Sequence, residues 1–227
     1  LYLFDTTLRD GQQTQGVHFS TAEKQRIAVM LTELGVDYIE GGWPGANPTD
    51  SDFFDAAPKT CATMTAFGMT KRVGRSADND DVLAAVMNAN TPAVCLVGKS
   101  HDFHVETALG ITLAENTENL SASFAHLVAN GREALFDAEH FFDGYKSNPA
   151  YALEAVHAAY DAGARWIVLC DTNGGTLPHE VSATVNAVID RGIPGVIWAS
   201  TPTMIRKMRS PIRWRRCSLV RGKSKGR

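Results

Sequence analysis

A short strand-like run followed by an amphipathic helix-like run recurs six times before residue 198, and this alternation limits the possible folds more than any other feature. Runs rich in β-branched and aromatic residues predict strands, and parallel strands need a crossover helix between them. The alternation therefore predicts a parallel sheet covered by helices. The predicted strands are residues 1–4, 36–40, 62–67, 93–98, 133–138 and 166–170.

The helix-like runs are marked by their periodicity and, in the first case, by a capping signal. Ser20 followed by Glu23 is the pattern of a capping box, which predicts a helix that ends near Gly35. The remaining helices are predicted at residues 50–57, 81–88, 115–129, 151–162 and 179–190.

Polar residues follow nearly every predicted strand, at residues 5–10, 40–45, 99–104, 139–143 and 171–175. No G-x-G-x-x-G follows the first strand, so a dinucleotide-binding Rossmann fold has no support. The catalytic residues of a TIM barrel lie at the carboxyl ends of its strands. We therefore predict an α/β fold, an incomplete TIM (β/α)8 barrel in which about six β/α units are present.

Composition narrows the class of protein. With 44% hydrophobic residues, the 227-residue chain can bury a sizeable core, and no run approaches the ~20 uninterrupted apolar residues of a membrane span. The four scattered cysteines show no C-x-x-C pairing, which is typical of reduced thiols. We therefore expect a cytoplasmic protein in which Cys170 is a small buried residue rather than a nucleophile.

The most informative segment is D-T-T-L-R-D-G at residues 5–11. In this segment Arg9 precedes Asp10 just after a predicted strand. A carboxylate in such a position can bind a metal ion, while the guanidinium meets a substrate carboxylate or enolate oxygen. The alternative is a structural Arg–Asp pair that closes a loop.

Four segments together resemble the citramalate synthase branch of the 2-isopropylmalate, homocitrate and citramalate synthase family, whose barrel condenses acetyl-CoA with a 2-oxoacid. They are D-T-T-L-R-D-G (5–11), Y-I-E-G-G-W-P-G-A-N-P-T-D (38–50), F-D-A-E-H-F-F-D-G (136–144) and C-D-T-N-G-G (170–175). The resemblance covers roughly residues 1–197 and implies a TIM-barrel catalytic domain over that range.

The resemblance also implies roles for four residues. Asp10 would be one ligand of a divalent metal ion (Mg, Mn or Zn), and Arg9 would bind substrate and stabilise the oxygen that gains charge in the reaction. Thr172 would donate to the substrate carboxylate. Glu139 would help to activate the acetyl-CoA methyl group, and a loop salt bridge is the alternative for this residue.

The implied reaction is an acyl transfer from acetyl-CoA to pyruvate, which gives citramalate and CoA and leads toward isoleucine. The alternatives are 2-isopropylmalate and homocitrate synthase, which act on other 2-oxoacids. The resemblance implies a homodimer, an interaction with acetyl-CoA and the 2-oxoacid, and no membrane partner.

The family pattern breaks after residue 197. The family carries a His-x-His pair in a phrase like L-G-I-H-x-H-N-D, whereas this chain reads W-A-S-T-P-T-M-I from residue 198. Degenerate codons for these eight residues, read one base earlier, permit L-G-I-H-A-H-N-D. We therefore predict that residues 198–227 are a disordered basic tail translated out of frame, and that the two expected His ligands are absent.

The composition of the tail also permits a different interpretation. Ten of the 22 Lys and Arg residues lie between 206 and 227, where no Asp or Glu occurs, so the preceding residues carry a net charge of −13. Such a basic segment is typical of a polyanion-binding arm. The frame match makes a nucleic-acid partner the less favoured hypothesis.

A frame shift would have consequences for the fold and the site. Without a seventh and an eighth β/α unit, the first and sixth strands would be unpaired on their outer sides, and the barrel interior would be open to water. Metal binding would fail, because Asp10 alone cannot replace three protein ligands. We therefore predict that the chain as given is an inactive fragment.

Histidines offer one further candidate site. His101 and His104 have the spacing H-x-x-H, but a zinc role is not favoured, because the pair lies in a predicted loop without acidic partners. His140 and His179 are interpreted as surface or helix-start residues.

Overall fold

The computed structural model describes residues 2–194 and the backbone of residues 196–199. Its strands form one sheet with the order β1 to β7, and every neighbouring pair is parallel. Sequential parallel strands joined by outer helices are the architecture of a TIM barrel, so the predicted fold is confirmed. The strands are β1 (Phe4–Asp5), β2 (Tyr38–Gly42), β3 (Thr63–Met69), β4 (Ala93–Lys99), β5 (Glu133–Glu139), β6 (Trp166–Cys170) and β7 (Val196–Ala199).

The seventh strand corrects one prediction. β6 was expected to be an edge of the sheet, but Val196–Ala199 pairs with it, from Ile167↔Val196 to Cys170↔Ala199. A run of Val, Ile and Trp favours a strand, and its backbone groups gain hydrogen bonds by joining the sheet. The predicted domain boundary at residues 197 and 198 therefore falls within β7. The rest of the predicted tail lies outside the described residues.

Helices cover the outer face of the sheet, and the six predicted helices are confirmed to within two residues at each end. Capping boxes of Ser20 with Glu23 and of Thr112 with Glu115 fix the starts of two of them. Two α-helices escaped prediction: Asp102–His104, which a π-helical turn (Val105–Leu109) continues, and Phe141–Ser147. The helices are α1 (Thr21–Leu34), α2 (Pro48–Asp55), α3 (Asp81–Asn88), α4 (Asp102–His104), α5 (Leu113–Ala129), α6 (Phe141–Ser147), α7 (Pro149–Asp161) and α8 (Pro178–Asp190).

Two hydrophobic cores result from this arrangement. The larger lies between the sheet and the helices, and the smaller lies inside the barrel. The inner core comprises Tyr38, Phe67, Ala93, Cys95 and Leu135, none of which is more than 5% exposed. The expectation of an interior open to water is therefore wrong for these residues.

A hydrogen-bonded group at the amino ends of the strands helps to close the interior. The Tyr38 hydroxyl donates to the Glu133 carboxylate at 2.5 Å, and the Trp166 indole N–H lies 3.2 Å from each of their oxygens. These residues belong to β2, β5 and β6, so the bonds connect non-adjacent strands across the barrel. Contacts at this end of a TIM barrel serve stability, whereas catalysis takes place at the other end.

In the part of the chain that the structure describes, no helix combines the length and the apolar character that a membrane crossing requires.

Candidate active site

Arg9 lies just beyond the carboxyl end of β1 and is held from three sides. Its Nε donates to Glu40 Oε1 at 2.5 Å, and its Nη1 lies 3.2 Å from Asp10 Oδ1. The guanidinium carbon stacks over the Phe67 ring, 3.9 Å from the centroid. Charge-assisted hydrogen bonds and a cation–π contact together fix the orientation of the guanidinium at the mouth of the barrel.

Burial and the neighbouring charges have opposite effects on the pKa values of Arg9 and Glu40. Burial acts against the charge on Arg9, but the carboxylates of Glu40 and Asp10 outweigh it and raise the pKa of Arg9 above its ordinary value. Burial also raises the pKa of Glu40 to about 7, although the Arg9 charge lowers it. Glu40 was not predicted as a site residue. A Glu inside the buried strand Y-I-E-G-G is the signal that could have found it.

We expect Glu40 to make the chain less stable as the pH rises. Its pKa is about 7 in the folded chain against an ordinary value of 4.5, so the folded state binds the extra proton between these values. The free energy of unfolding should therefore fall by up to ~3 kcal/mol between about pH 4.5 and about pH 7. Urea unfolding at both ends of this range measures the change. Glu40→Gln should remove most of the slope, and the exposed Glu33→Gln should leave it unchanged; an unaltered slope in Glu40→Gln would contradict the assignment.

A second buried carboxyl lies near Arg9. Cys170 donates a hydrogen bond from its thiol to Asp137, and burial raises the pKa of Asp137 despite this bond and the nearby Arg9 charge. Cys170 is 4% exposed, and burial, followed by the Asp137 charge, raises its pKa well above the ordinary value. The prediction that Cys170 is a buried small residue is thus confirmed. Asp137 was not predicted as a site residue. It lies two residues before Glu139 in β5, so both residues are on the same face of the sheet.

Glu139 ends β5 and forms an ion pair with Lys99, the last residue of the adjacent β4. The loop salt bridge considered from sequence is therefore present, and Lys99 is its partner. Ser100 donates to the Glu139 carbonyl oxygen at 2.8 Å, which fixes the backbone of this residue. The Glu139 carboxylate is therefore paired with the Lys99 ammonium group in this structure.

Thr172 follows β6 and accepts a hydrogen bond from the backbone N–H of His140 at 2.9 Å. His140 directly follows Glu139, so the residues predicted to act on the two substrates lie on adjacent strands joined by this bond. Asp137 experiences the charges of both Arg9 and Glu139. The structure thus assembles Arg9, Asp10, Glu139 and Thr172 at one end of the barrel.

A cavity of about 380 Å³ opens beside Arg9. Gln12 and Trp43 line it together with Asn47 and Asp50 from the loop and helix that follow β2. Amide and aromatic groups around a charged anchor are typical of small-molecule sites.

The residues described here do not suffice to hold a metal ion. Across residues 2–194, no three His, Cys, Asp or Glu side chains come together in a way that could bind one. Asp10 is the predicted ligand, and it forms an ion pair with the cationic Arg9. A divalent ion needs several oxygen or nitrogen ligands, so these donors do not fit one.

Comparison with known proteins identifies the family. The family model described as HMGL-like matches residues 1–199. The chain belongs to the HMGL-like family. Two solved structures, hydroxymethylglutaryl-CoA lyase from Pseudomonas aeruginosa and HMG-CoA lyase from Brucella melitensis, superimpose on this HMGL-like chain with TM-scores of 0.72 and 0.69. Each lyase is 16% identical to this chain and matches 87% of it. The match spans 67% of the Pseudomonas aeruginosa chain and 72% of the Brucella melitensis chain. At this identity they show the fold alone.

Curated relatives place the HMGL-like chain in one branch. Proteins named (R)-citramalate synthase from Aquifex aeolicus and Streptomyces coelicolor are 50% and 47% identical over 84% and 83% of this chain. A 2-isopropylmalate synthase from Listeria innocua is 37% identical over 79% of it. The recognition of the citramalate synthase branch is confirmed. The alignments cover 37%, 36% and 34% of these relatives, so the chain spans about a third of their length.

Proposed function

We propose that this chain carries the substrate-binding part of a Claisen-type acyltransferase that condenses acetyl-CoA with pyruvate to citramalate and CoA. The observation that carries the proposal is Arg9, which Glu40 and Asp10 hold at the catalytic end of a barrel that belongs to this family. Relatives named citramalate synthase are more similar than those named 2-isopropylmalate synthase, which favours pyruvate over a larger 2-oxoacid. We place the reaction in isoleucine biosynthesis and in the cytoplasm.

The geometry suggests a role for each residue in this reaction. Glu139 accepts a proton from the acetyl-CoA methyl group, and the resulting carbanion forms a carbon–carbon bond to the keto carbon of pyruvate. The keto oxygen gains negative charge, which the fixed guanidinium of Arg9 stabilises before the oxygen is protonated. Thr172 orients the pyruvate carboxylate. Water then cleaves the thioester, which releases CoA as a thiol and leaves a second carboxylate on citramalate.

We also propose that the chain as given has no turnover. Its described residues provide Asp10 but no further metal ligands, and the sequence W-A-S-T-P-T-M-I stands where the family carries H-x-H. In the shifted frame, positions 201 and 203 would be the two histidines of this pair.

Binding of pyruvate by the full chain tests the acceptor site without requiring turnover. We expect a saturation-transfer NMR signal from the pyruvate methyl group. Arg9→Gln should weaken binding roughly 10- to 100-fold, because a charge-assisted hydrogen bond is lost, whereas the exposed Arg26→Gln should not. An unchanged affinity for pyruvate in Arg9→Gln, or displacement of pyruvate by equimolar 2-oxoisovalerate, would contradict the proposal.

A further inference from the structure

Three histidines that the sequence treats separately form one cluster beside Glu139. The His104 ring lies 4.8 Å from the His101 ring and 4.4 Å from the His140 ring, centroid to centroid. The contact with His140 is edge-to-face, at 83° between the ring planes. His101 and His104 belong to the loop after β4, residues 100–110, which we call the β4 loop. His140 follows β5, so His104 connects two segments at the carboxyl ends of adjacent strands.

Both segments bear directly on the candidate site. The β4 loop begins after Lys99, and His140 follows Glu139, which is the ion-pair partner of Lys99. Tight backbone packing keeps the loop close: a Cβ at Gly144 of α6 would lie 2.6 Å from the Ser100 carbonyl oxygen and 2.8 Å from His101 Cα. The position of the β4 loop therefore affects the geometry of the Lys99–Glu139 pair.

His140 is held in a conformation that needs support from its surroundings. Its φ of 55° is in the left-handed region, which is uncommon for residues other than glycine. This conformation directs its backbone N–H to Thr172 Oγ1. Its Nδ1 is buried and has no hydrogen-bond partner among residues 2–194, and the Asp143 carboxylate lies 3.7 Å away. The packing of the imidazole against His104 is thus one of the contacts that hold the ring in place.

The charges around the cluster disfavour a proton on His104. Among the carboxylates that face it, Asp102 lies 2.9 Å from His101, Asp143 lies beside His140, and Glu139 is paired with Lys99. Burial lowers the pKa of His104, and the neighbouring His140, His101 and Lys99 lower it further, against an opposing effect of Glu139. At neutral pH the ring is therefore uncharged and can pack between the other two imidazoles.

We propose that His104 is a positioning residue for the candidate acyl-transfer site: its uncharged ring joins His101 to His140 and holds the β4 loop against the segment that carries Glu139. The inference rests on the proposed function only for the role of Glu139, since the docking itself is a property of the fold. Because the folded-state pKa of His104 lies below its ordinary value of 6.5, docking loses stability as the pH falls through that value. The loop should then detach and release Lys99 and Glu139 from their present geometry.

Hydrogen exchange of the full chain, measured by mass spectrometry at about pH 7.5 and about pH 5.5 and corrected for intrinsic rates, tests this inference. In the wild-type chain, peptides that cover the β4 loop and residues 139–147 should exchange faster at the lower pH by up to about tenfold, the limit that an imidazole with the ordinary pKa of 6.5 in the detached loop sets at pH 5.5. His104→Phe keeps a ring that cannot titrate, so it should protect these peptides at both pH values. His104→Ala removes the packing and should expose them at both.

A matched control distinguishes this effect from general acid lability. His126→Gln changes a histidine outside the cluster, so its exchange should follow the wild type. The inference would be overturned by equal exchange of the wild-type chain at both pH values, or by a pH response that persists in His104→Phe. Neither measurement involves acetyl-CoA or pyruvate, so failure of the proposed condensation would leave the result for His104 intact.

Discussion

Replacing residues 198–227 with the corresponding and following segment of the Aquifex aeolicus relative should convert a chain that we propose to be inactive into a metal-dependent condensing enzyme. The relative is 50% identical over 84% of this chain, and we therefore expect its segment to pack against the present barrel. We expect release of CoA from acetyl-CoA in the presence of pyruvate, with a turnover number in the range of about 1 to 10³ s⁻¹ that ordinary enzymes reach. The ungrafted chain should show none, because it lacks the family's H-x-H pair.

Substitutions in the grafted segment and in the present chain separate the roles of these two parts of the grafted protein. Changing both histidines of the H-x-H pair to glutamine should abolish activity and metal binding together. Arg9→Lys, which lies in the present chain, should lower the turnover number by about 10² to 10³, as the loss of an oxyanion-stabilising donor does. Turnover by the ungrafted chain, or a folded graft that releases no CoA, would contradict the proposal that the present chain supplies Arg9 and the graft supplies the missing H-x-H pair.

The second large effect is expected from Lys24→Met, which should lower the free energy of unfolding by about 3–5 kcal/mol. Lys24 on α1 is fully buried and is paired with Asp50 on α2, which is 1% exposed. Without Lys24, the Asp50 carboxylate would keep the donors Trp43 N–H and Asn47 Nδ2 but would lose the neutralising charge. Urea unfolding measures the difference.

Control variants distinguish the ion pair from ordinary packing. The exposed Lys59→Met should change the free energy of unfolding by less than about 0.5 kcal/mol. The double variant Lys24→Met/Asp50→Asn should be more stable than the sum of the two single changes predicts, because it removes both charges. A loss below about 1 kcal/mol in Lys24→Met would mean that Asp50 does not depend on the ammonium group.

The sequence predicts the architecture well because its signals are periodic and local. Alternating strand-like and helix-like runs locate the strands and helices, and Ser20 with Glu23 marks a helix start that the structure reproduces. The break in the family pattern after residue 197 hid the strand Val196–Ala199, because that run was assigned partly to the tail. A strand of four residues gives too short a pattern to override such an assignment.

The parts of the site that escaped prediction depend on contacts between distant segments. Lys24 lies in an amphipathic run where a lysine normally faces solvent, and its burial follows from the approach of α2. The cluster of His101, His104 and His140 requires the β4 loop to meet the segment that follows β5, and His104 and His140 are 36 residues apart in sequence. No local pattern encodes such a meeting. Glu40 differs, since a charged residue within a buried strand was a visible signal.

Sequencing the genomic DNA across the codons for residues 190–227 tests the central claim, that the chain leaves the family's reading frame after residue 197. The claim predicts that the nucleotides, read one base earlier from Trp198, spell L-G-I-H-A-H-N-D. For both histidines to appear, the codons for Ser200 and Pro202 must end in cytosine. Any other base at either position, or a stop codon in the shifted frame, would contradict the claim.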